Sequence, residues 1–197
     1  FLFMLRRQPG FTQGCSSAAS DVYKRPAHAC DTSSAQSMGD FADAVLTKFG
    51  AAHLLFNNAG IAGVGDAWGG TLDLWDRVIG VNLYGVVHGI RAFLPIMEQQ
   101  GIGHIVNTAS MAGLTPVPGL APYAATKHAV VGLSESLYLE QQAAGSPIGV
   151  SVLCPGFVKT DLMISEPATV NAPIAQLIAG VLAAGVDNGI PAADVAG

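Results

Sequence analysis

The sequence predicts an α/β fold: a doubly wound, mostly parallel sheet in a three-layer arrangement. Three observations lead there. Short apolar runs at residues 53–57, 102–108 and 148–153 have the continuous hydrophobicity of strands buried on both faces. Stretches with helical apolar spacing alternate with them, the pattern of a parallel sheet with helical crossovers. Polar and glycine- or proline-containing residues follow the strands, at the carboxyl ends where open sheets of this kind bind ligands.

A chain of 197 residues fits one domain. Half of its residues are hydrophobic and 12% are charged, a composition rich in core and unlike a disordered chain. The net charge of −5 gives no ground for a nucleic-acid or acidic-membrane partner. No apolar run approaches the length that crosses a membrane. Residues 1–5 are apolar and precede Arg6 and Arg7, the reverse of the order in a secretory signal. Cys15, Cys30 and Cys154 are odd in number and lack paired spacing, which argues against a disulfide framework and for a reducing, cytoplasmic compartment. The histidines, His28, His53, His88, His104 and His128, have no partners at metal-ligand spacing, so no metal is expected.

Residues 1–26 read as an irregular N-terminal segment. Gly10 and Gly14 invite comparison with a phosphate-cradling loop, but a third glycine and a following helix are lacking. Residues 27–31 form a short strand ending in Asp31. Ser33 or Ser34 then caps a helix whose stripe is Met38, Phe41, Val45, Leu46 and Phe49, and Gly50 ends it. The strand 53–57 breaks at Asn57-Asn58-Ala59-Gly60, where short amides and a glycine permit a turn and close backbone approach. A glycine-rich loop at 61–72 holds Asp66 and Trp68, placed either to touch a substrate or to form a surface turn. Residues 74–99 make one long helix with Asn82 in the middle of its apolar face, an amide that needs buried partners. After strand 102–108, the loop 111–121 presents Leu114, Pro116, Val117, Pro118 and Leu120, an apolar wall for a substrate or for packing. A helix from 122 to about 144 ends at Gly145 and Pro147. Strand 148–153 runs into Pro155-Gly156. Thr160 is placed either to bond a carboxamide or to cap a helix beginning at Asp161. Residues 173–184 form a short apolar helix.

The chemistry concentrates at residues 103–132. Tyr123 and Lys127 stand four apart on one helix, which puts a phenol and an ammonium on the same face. Ser110 leaves the preceding strand end. A cation beside a phenol favours the phenolate, and a serine hydroxyl donates to a carbonyl or alkoxide oxygen. The set suits proton transfer at an alcohol oxygen while something else moves a hydride. A surface lysine, a packed tyrosine and a turn serine are the plainer reading of the same residues.

Ser110 with twelve intervening residues before Tyr123-Ala-Ala-Thr-Lys127 resembles the active-site signature of the short-chain dehydrogenase/reductase family. Asn57-Asn58-Ala59-Gly60, Asn82 in VNLYG, and Pro155-Gly156-Phe157-Val158-Lys159-Thr160 resemble three further family motifs in the family's order. The resemblance covers roughly residues 27–185. It implies a partial Rossmann-like dehydrogenase domain over 27–197. The activity implied is hydride transfer between NAD or NADP and an alcohol or ketone with an apolar part. On it, Tyr123 is the general acid/base, Lys127 lowers its pKa and holds the nicotinamide ribose, Ser110 orients the substrate oxygen and Asn82 supports a proton relay. Asp31, Asn58, Ala59, Gly60, Pro155, Gly156 and Thr160, with Tyr123 and Lys127, lie at cofactor-binding positions. The helices at 74–99 and 122–144 resemble the faces that build family oligomers, so a homo-oligomer is implied. The family's glycine-rich loop, its second strand and its last strand are missing from this sequence. The expectation is therefore an incomplete, truncated fold with poor or no cofactor binding. The alternative is a catalytically inactive fragment or scaffold serving as a binding or assembly subunit. A serine hydrolase is a third option, for which no G-x-S-x-G elbow is present.

Overall fold

The computed structural model describes residues 28–63, 69, 71–159, 176, 180, 185 and 189–191. The expectations for residues 1–26, Asp66, Trp68 and Thr160 lie outside the described residues.

Helix α1 (Ala35–Phe49) starts as its sequence requires. Ser34 is the N-cap and its hydroxyl accepts the Ser37 N–H at 3.2 Å. Gly50 ends the helix at φ 73°, with its N–H on the Leu46 carbonyl at 2.8 Å. Met38, Phe41, Ala42 and Val45 are buried beneath it. The strand expected over 27–31 reduces to one bridged residue, Ala29, although Cys30 is fully buried in the core.

Strands β1 (Leu54–Asn57), β2 (Gly103–Thr108) and β3 (Ile148–Leu153) form a parallel sheet in the order β1-β2-β3. Register aligns Leu55 with Ile105 and Ile105 with Val150. Three helical segments follow between β1 and β3. Helix α2 (Leu72–Ile79) passes through a π-helical turn (Gly80–Tyr84) into α3 (Gly85–Gln100), and α4 (Ala121–Ala143) precedes β3. The single helix expected over 74–99 is thus continuous but widened by one π turn, and Asn82 sits in that turn. Segment Leu72–Gln100 is long and apolar enough to cross a membrane by length and composition. That differs from the reading of the sequence, which counted unbroken apolar runs. In this fold one face of the segment packs into the core, with Val78, Phe93 and Met97 buried.

The helices α1, α3 and α4 share one core with Leu55, Ile105 and Ile148. A buried polar chain crosses it. Asn57 Nδ2 donates to Asn107 Oδ1 at 2.9 Å, Asn107 Nδ2 donates to Ser134 Oγ at 2.9 Å, and Ser134 Oγ donates to the Val130 carbonyl at 2.6 Å. This chain ties β1 to β2 and β2 to α4, and its members are nearly fully buried. Gly89 of α3 lies directly on Asn57. A Cβ there would sit 2.1 Å from Asn57 Oδ1, and the Asn57 amide is held by Asn107. Gly89→Ala is therefore expected to destabilise the protein by about 1–3 kcal/mol, read by urea unfolding, because the clash meets a fixed group. A loss comparable to that of Gly132→Ala, where a Cβ meets nothing within 4 Å, would contradict this packing.

The opposite sheet face carries Leu54, Phe56, His104, Val106 and Ser151. His104 Nε2 and Ser151 Oγ are 2.8 Å apart on it. The second helix layer expected there falls outside the described residues. Past β3, the short strand β4 (Val158–Lys159) pairs in parallel with β5 (Ile190–Pro191), which the sequence reading did not anticipate. Gln176 and Gly180, within the helix expected over 173–184, are helical, as is Gly185 just beyond it.

Candidate active site

The site lies where β2 and β3 end and α4 begins. Ser110 leaves β2 in extended backbone, and its Oγ accepts the Ala112 N–H at 3.1 Å, capping a 3₁₀ turn over Met111–Gly113. The Ala109 N–H bonds the Leu153 carbonyl at 2.8 Å and the Met111 N–H bonds the Pro155 carbonyl at 2.9 Å. The serine loop is thereby sewn to the end of β3. Gly113 lets the loop seat on α4: a Cβ there would stand 2.7 Å from the Lys127 carbonyl oxygen.

Pro122 occupies the first turn of α4, where its missing N–H is harmless. Tyr123 and Lys127 follow on the buried face, 7% and 4% exposed. The Tyr123 ring packs with Ala62, Ala112 and Leu120, and its hydroxyl is near enough to Ser110 for that side chain to act on its pKa. Lys127 Nζ donates to the Thr108 carbonyl at 2.7 Å and lies 5.6 Å from the Tyr123 ring centroid. Phenol, hydroxyl and ammonium meet in one place, as the spacing of the sequence predicts.

Their electrostatics differ from the expected pattern. Burial raises the Tyr123 pKa above 10.0, and the Ser110 side chain opposes it. Burial also lowers the Lys127 pKa to about 8, partly offset by Cys154 nearby. The sequence reading has Lys127 pulling the phenol down. In this arrangement desolvation is the larger effect on Tyr123, with the ammonium over the ring and on a backbone carbonyl.

Asn82 is fully buried and its side chain is spent on its neighbours. Oδ1 accepts the Ile61 N–H at 2.8 Å, while Nδ2 donates to the Ile61 carbonyl at 2.9 Å and to Thr126 Oγ1 at 3.2 Å. The π turn that carries Asn82 swings it out of the helical register, a distortion that recurs at functional sites. Gly60 stands beside it: a Cβ there would lie 3.5 Å from Asn82 Oδ1 and 3.6 Å from Lys127 Nζ. The turn after β1 therefore runs along the site. Asn58 is exposed and Ala59 half-buried, while Asn57 belongs to the core chain described above.

Asp31 heads α1, where Oδ1 accepts the Ser33 N–H at 3.0 Å and the Ser33 hydroxyl at 2.7 Å. Those bonds make Asp31 part of the turn that enters the helix. Its neighbour Thr32 shares a small cleft with Asn57, Ala59, Gly85 and Val86. Pro155 contributes its carbonyl, and Gly156 is exposed beside Met111. The expected apolar wall splits in two. Leu120 is buried against Tyr123, whereas Leu114 remains 56% exposed, joined on the apolar rim by Met111 at 50% and Phe157 at 45%. Thr126 and the Thr108 carbonyl are site groups that the sequence reading passed over.

The family model for short chain dehydrogenases matches residues 6–171. The chain belongs to that family. The match begins upstream of residue 27, where the motif resemblance starts. A CLA biosynthesis dehydrogenase/reductase of Lactiplantibacillus plantarum is 39% identical over 147 residues, which is 73% of this chain and 51% of that relative. A short chain dehydrogenase/reductase from Burkholderia phymatum, solved in complex with NAD, superposes with a TM-score of 0.74 at 40% identity, over 83% of this chain and 62% of that one. A 3-ketoacyl-(acyl-carrier-protein) reductase from Brucella melitensis, complexed with NADH, gives a TM-score of 0.65 at 35% identity, over 69% and 57%. The chain spans about half the length of the curated relatives it matches.

The donor set of this short chain dehydrogenase fits a nicotinamide nucleotide at its ribose end. An ammonium has three N–H donors, and Lys127 has one protein acceptor, the Thr108 carbonyl, among the described residues. The remaining donors suit a diol. Gly60 offers no side chain between Asn82 and Lys127, which leaves backbone room there.

Proposed function

We propose that this chain is an oxidoreductase acting with NAD or NADP on an alcohol or carbonyl substrate. The observation that carries the proposal is the buried Tyr123 phenol with the buried Lys127 ammonium beside its ring and the Ser110 side chain near its hydroxyl. When bound, the nicotinamide supplies the hydride chemistry. Lys127 would hold its ribose, with Gly60, Ala59 and Asn58 along the turn, Pro155, Gly156 and Thr160 toward the carboxamide and Asp31 toward the adenine.

In the reduction direction, Ser110 Oγ–H donates to the carbonyl oxygen and orients it. Negative charge that would develop on that oxygen as the carbonyl is reduced is met by the Ser110 hydroxyl and the Tyr123 phenol. Tyr123 Oη gives that oxygen its proton and Lys127 restores it to the phenol, while Asn82, bonded to Ile61 and Thr126, holds the backbone beside them. Oxidation reverses each step. The raised phenol and the depressed ammonium favour a proton-loaded Tyr123 at neutral pH, which suits reduction.

The exposed Met111, Leu114 and Phe157 support a substrate with an apolar portion. A homo-oligomer in the cytoplasm is the assembly and location we attach to this reading. It is tested by a screen of secondary alcohols and ketones with NAD(H) and NADP(H), read at 340 nm. Turnover of at least one apolar ketone is expected. No turnover by a folded chain that also fails to bind either nucleotide would leave the inactive-scaffold alternative.

A further inference from the structure

We propose that Thr126 is a positioning residue of this site: its hydroxyl docks the Asn82–Ile61 unit onto the Tyr123/Lys127 helix. The inference rests on the oxidoreductase reading only for its effect on turnover.

The hydrogen-bond directions leave little freedom. Ile61 presents both an N–H and a carbonyl to Asn82, so Oδ1 must face the one and Nδ2 the other. One Nδ2 proton is thereby used. The second meets Thr126 Oγ1 at 3.2 Å. Thr126 spends its own proton on the Tyr123 carbonyl at 2.8 Å, so its oxygen is left to accept. Asn82 and Thr126 are 0% and 2% exposed, and no water can replace a missing partner there. A single hydroxyl thus joins the π turn, the strand-exit loop at Ile61 and α4. Gly60 precedes Ile61 and packs toward Lys127 Nζ. Any retreat of Ile61 from α4 moves that backbone away from the ammonium.

Thr126→Val keeps the shape and leaves an Asn82 N–H buried without an acceptor. Thr126→Ser keeps the acceptor. Hydrogen exchange by NMR on this chain reads the clamp without cofactor. In Thr126→Val the Ile61 amide is expected to exchange about tenfold faster, with Ile105 in β2 changed less than about twofold. Thr126→Ser should restore Ile61. Where turnover is present, Val lowers kcat more than it raises KM and displaces the pH profile, and Ser restores both. Uniform acceleration of all core amides, an unchanged Ile61, or no rescue by Ser overturns the proposal. If Thr126→Val does not fold, the unaltered chain decides: the Asn82 Nδ2 protons must exchange at least about tenfold slower than those of exposed Asn58. Equal exchange overturns it. Failure of nucleotide binding with a responsive Ile61 removes the oxidoreductase reading and leaves the clamp.

Discussion

Tyr123→Phe is expected to lower kcat by about 10²–10⁴ while the chain remains folded. The ring is what packs: Ala62, Ala112 and Leu120 contact it, and phenylalanine keeps that surface. The hydroxyl's neighbour is half-buried Ser110, whose side chain water can serve in its place. Stability should therefore change by no more than about 1 kcal/mol. Chemistry should change far more, because the substrate oxygen loses the group that the proposed mechanism uses to protonate it. Ser110 remains to orient that oxygen, so KM should move little. Initial rates in both directions, with thermal unfolding as control, check this. A variant that keeps more than a tenth of kcat would remove Tyr123 from the proton step, and the proposed mechanism with it.

The motif-bearing part of this fold is legible because local signals and tertiary demands agree there. Ser34, Gly50 and the stripe Met38–Phe41–Val45 specify α1 by short-range chemistry alone, and the structure follows them. Tyr123 and Lys127 share a face because a helix has only one way to place residues four apart. Asn82 shows where legibility ends. Its need for buried partners was readable, but its environment comes from a π turn, a backbone change with no residue signature in GVNLY. Thr126 is hidden for a related reason. It looks like filler between Tyr123 and Lys127, and its partner lies 44 residues away. The electrostatics were the least legible. A lysine next to a tyrosine suggests a depressed phenol, but the sign depends on how deeply both groups are buried and where the ammonium points. The same limit applies to segment Leu72–Gln100, whose composition permits a membrane span and one face of which packs into the core.

Lys127→Met is expected to stabilise the ligand-free chain at pH 7 and to lose that advantage as pH rises. In the folded protein the Lys127 pKa is lowered to about 8 from 10.5, and burial is the chief cause. Below about pH 8 both folded and unfolded chains carry the proton, so the full cost of a buried cation is present. Between about 8 and 10.5 the unfolded chain binds more protons than the folded one, and stability contributed by this site rises with pH. At about 1.4 kcal/mol per pH unit, the interval amounts to about 3 kcal/mol. Methionine removes the buried charge and leaves the Thr108 carbonyl without the ammonium donor, a loss of about 1 kcal/mol. The net gain at pH 7 is then about 2 kcal/mol, and near pH 10 it should vanish or reverse. Urea unfolding of both proteins at the two pH values gives the difference directly, since other groups titrate alike in each and cancel. A gap equal at pH 7 and pH 10 would mean that Lys127 is solvated. It would then be no strained cation awaiting an anionic or hydroxyl-rich ligand. The predicted pattern, with stability sacrificed at one residue, is what a functional site imposes on a fold and a purely structural lysine does not.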